Sequence, residues 1–266
     1  MPIDVFQAIV LGFVQGVTEF LPISSHAHLI LIPWLFGWPD PGLTFDIALH
    51  LGTLAALLLY FYRDWFHLGM SALKLLKGDT EDPNARLALY IILATIPAGV
   101  AGFFLGSLAD QLATPKVIAA ALIGVALLMR LAEVWGRRKT DLGGLTLSDS
   151  LIIGFAQAFA LIPGVSRSGV TLTAGLFRGL TRKAAAQYSF LLSAPIVGGA
   201  VVKELGHIAA QGLPDDVLPF IVGIITSAFF GLISITLLMS YLQTRTTFVF
   251  VNYRVALGIC VLVLAR

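Results

Sequence analysis

Two short polar stretches interrupt otherwise apolar sequence, and their side chains are of kinds that could do chemistry on a phosphate. The first stretch supplies a carboxylate, two hydroxyls and two imidazoles, in Glu19, Ser24, Ser25, His26 and His28. Such groups serve as general acids, general bases and covalent nucleophiles. An ionisable side chain inside an apolar segment is expensive to keep there, so each is a candidate for function.

The second stretch, Pro-Gly-Val-Ser-Arg-Ser-Gly at 163–169, predicts an anion-binding turn. Its glycine-rich backbone exposes N–H groups, and the helix that follows directs its positive N-terminus to the same place. Arg167 adds a planar fork of donors suited to phosphate oxygens. Ser166, Ser168 and Thr171 add hydroxyls. Together the two stretches predict a site for phosphoryl transfer.

Plainer roles for the same residues remain open on sequence alone. Arg167 could simply neutralise Glu19 as a buried structural pair. Ser24 or Ser25 could cap the helix that returns from the first stretch. His26 could be a wall or helix-start residue, and a catalytic role for it is the alternative.

Two further pairs share a helix face because their members lie four residues apart. Gln15 precedes Glu19 in this way, and Asp46 precedes His50 on the next apolar segment. Asp46 and His50 either line the cavity or brace the first stretch, and the sequence leaves both roles open.

The composition places these residues in a membrane protein. Of 266 residues, 58% are hydrophobic and only 12% are charged, against about 25% charged in an ordinary soluble domain. The net charge of +2 is too small to indicate nucleic-acid binding, and the one cysteine, Cys260, excludes a disulfide framework. The first apolar segment contains Gln15 and Glu19 and follows no basic region, so we expect no cleavable signal peptide.

Six apolar segments are long enough to cross a bilayer, and two others are broken by the polar stretches. The six lie near 45–62, 86–106, 116–135, 184–203, 218–240 and 247–265. The broken segments are 4–36 and 148–180, whose flanks are too short to span. Irregular backbone at membrane depth survives only where it is buried in protein or lines a cavity. The sequence therefore predicts an all-α integral membrane protein with six transmembrane helices and two re-entrant helical hairpins.

An internal repeat relates the two broken segments. The matching pieces are Gly-Phe-X-Gln at 12–15 and 154–157, and Pro-X-X-Ser at 22–25 and 163–166. Each half, 1–140 and 141–266, reads as one hairpin followed by three spans within one structural domain. Three is an odd number, so the second half must be inverted relative to the first, with the site where the halves meet.

The basic residues predict an orientation. One side holds Arg63, Lys74, Lys77, Arg86, Arg137, Arg138, Lys139, Arg178, Arg182, Lys183 and Arg245. The other side holds Lys116, Lys203 and Arg266. Cytoplasmic loops carry the excess of lysine and arginine, so both termini are expected outside and the first hairpin is expected to enter from there.

These motifs resemble the bacterial undecaprenyl-diphosphate phosphatases of the bacitracin-resistance type, over essentially the whole chain. That family's Glu/Gln-X-X-X-Glu motif stands at 15–19, continues into Phe-Leu-Pro-Ile-Ser-Ser at 20–25, and is followed by a histidine, here His28. Its second motif is complete at 163–169 and is followed by Thr171.

This chain departs from the family pattern at two places. Gln15 fills a position that is often glutamate, and His26-Ala27 replaces the common Thr-Gly. The second departure leaves two histidines near the site, and either could be the one that acts.

The resemblance implies a function and a setting. The reaction is hydrolysis of undecaprenyl diphosphate to undecaprenyl phosphate and phosphate, which recycles the lipid carrier of cell-wall polymers and confers bacitracin resistance. The protein would lie in the bacterial cytoplasmic (inner) membrane with its active site facing the outside. The implied partners are a polyprenyl diphosphate and membrane lipid, with no nucleic acid. A divalent cation, Mg²⁺ or Ca²⁺, is the implied cofactor, with Glu19 as its protein ligand.

We expect the following roles within this resemblance. Ser25 is the nucleophile, His28 an acid and base, and Glu19 orients His28 or holds the cation. In the alternative, water attacks directly. Arg167 stabilises the charge that develops on the transferred phosphoryl group. The expected substrate-binding residues are Gln15, Ser24, Gly164, Ser166, Ser168, Gly169 and Thr171. A lipid-phosphate flippase or transporter is the rival function, and a homodimer is one open oligomeric state.

Overall fold

A computed structural model describes residues 3–75, 82–212 and 216–265 of the chain. Within these ranges the secondary structure is helical, apart from one isolated bridge between Thr140 and Leu180. Lys77 and Arg266, two of the basic residues used to predict the orientation, lie outside the described residues.

Eleven α-helices account for most of the described residues. They are α1 Val5–Phe20, α2 Ser25–Phe36, α3 Leu43–Tyr60, α4 Tyr62–Leu75, α5 Pro83–Gln111, α6 Pro115–Trp135, α7 Leu147–Ala158, α8 Arg167–Phe177, α9 Arg182–Gln211, α10 Leu218–Thr244 and α11 Phe248–Leu264. Short 3₁₀ turns cover Leu142–Gly144 and Phe159–Leu161.

Five of these helices, α3, α5, α6, α9 and α10, are long and apolar enough to cross a membrane. This confirms a multi-pass, all-helical membrane protein. The sixth predicted span corresponds to α11, which has 17 residues and therefore reaches only about 26 Å. The count of six spans stays a prediction.

Helix α4 lies where the sequence was interpreted as a cytoplasmic loop. It begins immediately after α3, with Phe61 between them, and carries Asp64 in its first turn and Lys74 in its last. Leu68 is buried on one side of α4, while Phe66 is exposed on another. Because charged and apolar residues alternate around this amphipathic helix, it has no long apolar run by which the sequence would reveal it.

The two broken segments fold as two helix pairs, α1 with α2 and α7 with α8. The longest of the four helices, α1, has 16 residues and reaches about 24 Å, which is short of the hydrocarbon thickness. These lengths agree with the predicted re-entrant hairpins, and their depth in a membrane stays a prediction.

Each hairpin packs closely against a long helix of the other half of the chain. A Cβ on Gly16 of α1 would lie 2.7 Å from the carbonyl oxygen of Ser227 on α10. A Cβ on Gly154 of α7 would lie 2.3 Å from the carbonyl oxygen of Ala94 on α5. Only glycine permits these backbone contacts, which is the usual way for helices to approach closely in lipid. These helix contacts determine the position of the polar turn at the tip of each hairpin.

The buried carboxylate of Glu133, near the C-terminal end of α6, connects four segments of the chain. Glu133 of α6 accepts hydrogen bonds from Arg182 Nε at 2.8 Å, Thr247 Oγ1 at 2.8 Å and Arg138 Nη1 at 2.7 Å. The linker between the halves is thereby tied to α6, α9 and the start of α11.

Candidate active site

The tips of the two hairpins meet at a cavity of about 290 Å³. Its other walls come from α3, α5 and α9, with apolar side chains such as Leu43, Ala98 and Val197. The polar and glycine residues that line it are Glu19, Ser24, Ser25, His26, Asp46, His50, Gln157, Gly164, Ser166 and Arg167. The cavity is therefore apolar at its sides and polar where the tips meet.

Both tips are built around a serine with a positive φ, at 76° for Ser24 and 69° for Ser166. Each serine is the N-cap of the helix that returns from its tip, and its hydroxyl accepts the N–H three residues later. A positive φ is costly for a residue other than glycine, and the cap compensates part of the cost. As a result, Ser25 and Arg167 occupy the first positions of α2 and α8 and face the cavity.

Gly164 shapes the second tip. Its φ is +93°, and a Cβ there would lie 2.6 Å from the carbonyl oxygen of Ile118 on α6. Both facts require glycine. The turn before Ser166 therefore rests directly on the backbone of α6.

Glu19 joins the two tips. One carboxylate oxygen, Oε2, accepts a hydrogen bond from Ser25 Oγ at 2.5 Å and another from Gln15 Nε2 at 3.1 Å. The other oxygen, Oε1, is paired with Arg167 Nη2. Arg167 also donates to the carbonyl oxygen of Ser193 at 3.1 Å. A hydroxyl, a carboxylate and a guanidinium thus lie side by side at the cavity.

Asp46 and His50 lie on the α3 wall of the same cavity. His50 Nδ1 is 2.7 Å from the backbone carbonyl of Asp46. Because a carbonyl can only accept, Nδ1 carries the hydrogen, and Nε2 faces Glu19 Oε2 at 3.6 Å. Asp46 Oδ1 is buried and has no hydrogen bond from the described part of the protein. Of the two roles left open, lining the cavity is the one their positions support.

His28 has both ring nitrogens engaged. Nδ1 is 2.7 Å from the carbonyl oxygen of Ser24, and Nε2 is 2.7 Å from the hydroxyl of Tyr253, on whose ring it stacks. Among the described residues that line the cavity, His26 is present and His28 is not. The predicted acid and base role of His28 stays a prediction, and these contacts favour a role in positioning the first tip.

Three of the predicted substrate-binding residues make contacts within the protein. Ser168 Oγ donates to a backbone carbonyl of the first hairpin at 3.2 Å. The hydroxyl of Thr171 lies 2.5 Å from that of Ser189, and the N–H of Gly169 donates to Ser166 Oγ at 3.1 Å. These contacts brace the second tip from behind, while Ser166 itself lines the cavity. Substrate binding by Ser168, Gly169 and Thr171 stays a prediction.

Arg254 of α11 is a site residue that the sequence interpretation missed. It is fully buried and donates to backbone carbonyl oxygens of both tips and of α6. The acceptors are Pro22, Ala121, Leu122, Gly164 and Val165, at 2.9 to 3.3 Å. Arg254 therefore fastens the two tips to one another and to α6. The sequence signal that could have identified Arg254 is the presence of an arginine within an apolar segment.

The side chains that line the cavity could supply part of a binding site for a divalent cation. The described residues include no group of three or more His, Cys, Asp or Glu side chains placed to hold a metal ion. The cavity does offer the carboxylates of Glu19 and Asp46, and Asp46 Oδ1 is unpartnered. Mg²⁺ commonly binds through one or two carboxylates together with substrate phosphates. The residues present fit a cation that arrives with, or is completed by, a phosphate ligand.

Comparisons with known proteins identify the family. Residues 8–260 match the family described as bacitracin resistance protein BacA. The chain is 49% identical to an undecaprenyl-diphosphatase of Geobacter metallireducens, covering 96% of each chain. It is 48% identical to an undecaprenyl-diphosphatase of Geotalea daltonii over 98% of each, and 45% identical to one of Thermomicrobium roseum over 97% of each. These matches confirm the resemblance carried by the two polar motifs, and the chain belongs to the BacA family of bacitracin resistance proteins.

Proposed function

We propose that this protein hydrolyses undecaprenyl diphosphate to undecaprenyl phosphate and phosphate, and that the reaction takes place in the cavity between the hairpin tips. The observation that carries the proposal is the hydrogen bond of 2.5 Å from Ser25 Oγ to Glu19 Oε2, beside Arg167. A hydroxyl held by a carboxylate and placed next to a guanidinium is an arrangement for phosphoryl transfer. Regenerating the carrier lipid accounts for the resistance that names the family.

Ser25 is the nucleophile in this proposal. As its oxygen forms a bond to the terminal phosphorus, its proton passes to Glu19 Oε2 and the bond to the bridging oxygen breaks. Undecaprenyl phosphate leaves, and a phosphoserine remains. The hydroxyl of a water molecule then bonds to phosphorus as the bond to the serine oxygen breaks, and the other proton of the water goes to that oxygen. Phosphate is released, the serine is restored, and the proton held by Glu19 passes to solvent. In the alternative, water held at Glu19 attacks the substrate directly.

Arg167 binds the transferred phosphoryl group. Its Nη1 and Nη2 each make one bond to the protein, to Ser193 and Glu19, and the remaining N–H donors of the fork are available to phosphate oxygens. The ion pair with Glu19 holds the guanidinium in place before substrate binds, so no reorganisation is needed as negative charge develops. In this proposal the ion pair with Glu19 orients Arg167 for phosphate binding. The structural pairing and the catalytic role of Arg167 are therefore compatible.

A divalent cation, Mg²⁺ or Ca²⁺, is part of the proposal. Glu19 and Asp46 would hold it together with oxygens of the diphosphate, since these are the two carboxylates that line the cavity among the described residues. When bound, it would neutralise charge on the phosphate oxygens.

The membrane setting supports the same function. Six spans and two re-entrant hairpins in the cytoplasmic membrane would open the cavity towards the outside, as the distribution of basic residues predicts. The apolar walls at Leu43, Ala98 and Val197 suit a substrate whose polyprenyl tail remains in lipid while its diphosphate enters the polar end.

Phosphate release by purified protein tests the proposal against the transporter alternative. In detergent micelles, where no second compartment exists, we expect undecaprenyl diphosphate to be converted with one phosphate released per lipid. A protein that only moves lipid phosphates across a membrane would release none in micelles, and that result would reject the hydrolase.

A further inference from the structure

A few buried polar atoms have no hydrogen-bond partner, and two of the residues that carry them, Asp46 and Gln157, line the cavity. In the described ranges these atoms are Gln15 Oε1, Asp46 Oδ1, Trp65 Nε1 and both amide atoms of Gln157. Burying such an atom unpaired is unfavourable, so native structures keep few of them, and each calls for a reason. Gln157 stands out because its whole carboxamide is unpaired.

The position of Gln157 places that residue at the cavity. The residue lies in the last turn of α7, is 2% exposed, and lines the cavity together with Gly164 and Arg167. The close contact of Gly154 with α5, one helical turn earlier, fixes α7 and hence the direction of this side chain. Gln157 is therefore held rigidly in an energetically poor position.

The repeat shows what is unusual about this amide. Gln157 matches Gln15 in the recurring Gly-Phe-X-Gln, and Gln15 donates to a carboxylate four residues later, Glu19. Four residues after Gln157 stands Leu161. The same amide thus occurs in both halves, but in the second half no described residue provides an anionic acceptor for it.

We propose that Gln157 is a substrate-binding residue whose Nε2 donates to a phosphoryl oxygen of the bound diphosphate. The polyprenyl tail cannot accept a hydrogen bond, so the diphosphate is the only part of the substrate that can satisfy the amide. This inference rests on the proposed function. A neutral donor opposite Arg167 would fix the orientation of the diphosphate without adding charge to the cavity.

The proposal predicts opposite effects on stability and on binding. Gln157→Met keeps a similar volume and removes the unpaired amide, so the thermal unfolding temperature in detergent should stay the same or rise. KM should increase roughly tenfold to a hundredfold, because a hydrogen bond to a charged acceptor is lost. Gln157→Glu should raise KM further, since a carboxylate beside a diphosphate repels it.

Trp65→Phe is the matched control. It also removes a buried, unpartnered N–H, but on α4, away from the cavity, so KM should equal that of the wild type. As a readout independent of turnover, inorganic pyrophosphate should protect the wild type and Trp65→Phe against thermal unfolding, and should protect Gln157→Met less.

A wild-type KM in folded Gln157→Met would overturn the inference, because an amide that only packs can be replaced. If Gln157→Met does not fold, Gln157→Asn, which keeps the polar group but shortens its reach, is measured against the same criterion. A wild type that releases no phosphate would reject the proposed function instead. Weaker pyrophosphate protection of Gln157→Met would still identify the amide as an anion ligand in that case.

Discussion

At the scale of single residues, Glu19 is the group on which the other site residues converge. Its carboxylate accepts from Ser25 and Gln15 and is paired with Arg167. In the proposed reaction this carboxylate serves as the base for the serine nucleophile. This one side chain would thereby connect proton removal on the first hairpin to charge stabilisation on the second.

Arg167→Lys is expected to lower kcat/KM by more than about 100-fold. An ammonium lacks the planar fork, and a preorganised donor at the developing charge is worth roughly 3 kcal/mol. Phosphate release measures the effect. Arg178→Lys is the matched control, because Arg178 pairs with Asp149 away from the cavity, and it should retain activity. Near-normal turnover in folded Arg167→Lys would remove this residue from the site.

Ser25→Ala is expected to abolish a covalent phosphoenzyme. With substrate labelled at its terminal phosphate and a rapid acid quench, the wild type should carry label on serine. Stable label in Ser25→Ala would contradict a serine nucleophile. Substantial turnover of that variant would instead favour water held at Glu19. In a parallel sample quenched in base, label that survives base but is lost in acid would identify a histidine.

The sequence predicted which residue types reach the cavity better than it predicted which neighbours they contact. Glu19, Ser25 and Arg167 were found because their chemistry is conspicuous in apolar sequence, and the structure brings all three to the cavity. Arg254 was missed because its acceptors are backbone carbonyls, which leave no mark on a sequence. For His28, spacing suggested the site, whereas its actual neighbour Tyr253 comes from the other end of the chain.

At the scale of elements, the hairpin tips depend on α11. Arg254 donates to carbonyl oxygens on both tips, at Pro22, Gly164 and Val165. Turns with unpaired carbonyls would be unstable at membrane depth. Arg254 supplies the missing donors, and so it positions the tips without reaching the substrate itself.

Arg254→Lys is expected to lower the free energy of unfolding by about 3 kcal/mol, because one ammonium cannot serve acceptors on three segments. The unfolding temperature in detergent should fall by roughly 5–10 °C. Turnover should fall through kcat as well, because the tips lose their alignment. Arg130→Lys, at an exposed arginine of α6, is the control and should change little. An unchanged unfolding temperature and kcat in Arg254→Lys would reject this role.

Helices could be predicted from the sequence where a long run of apolar residues is enough to define them. The five long helices and the two breaks follow from runs of apolar residues and from Pro, Gly and Ser at the tips. The positive φ of Ser24 and Ser166 was not predictable, because non-glycine residues rarely adopt it and tertiary contacts impose it. Helix α4 was missed for a different reason: its apolar side follows the helical period and includes no long apolar run.

At the scale of the whole molecule, the orientation can be tested at the two ends of α6. In a Cys260→Ser background, single cysteines replace Lys116 and Arg137, both exposed and separated by about 30 Å of helix. A membrane-impermeant thiol reagent added to intact cells should label Lys116→Cys and spare Arg137→Cys until the membrane is opened. The reverse pattern would place the cavity on the cytoplasmic side.

The packing of each hairpin against the other half has a consequence for biosynthesis. Ser234 of α10 donates to the carbonyl oxygen of Val17, 217 residues earlier in the chain. At about 5–20 residues per second, α1 is made roughly 10–40 s before its partner exists. During that interval the face of α1 that carries Gly16 lacks its neighbour on α10. A chain that stops before α10 would therefore contain Glu19, Ser25 and Arg167, but its first hairpin would lack the long helix against which it packs.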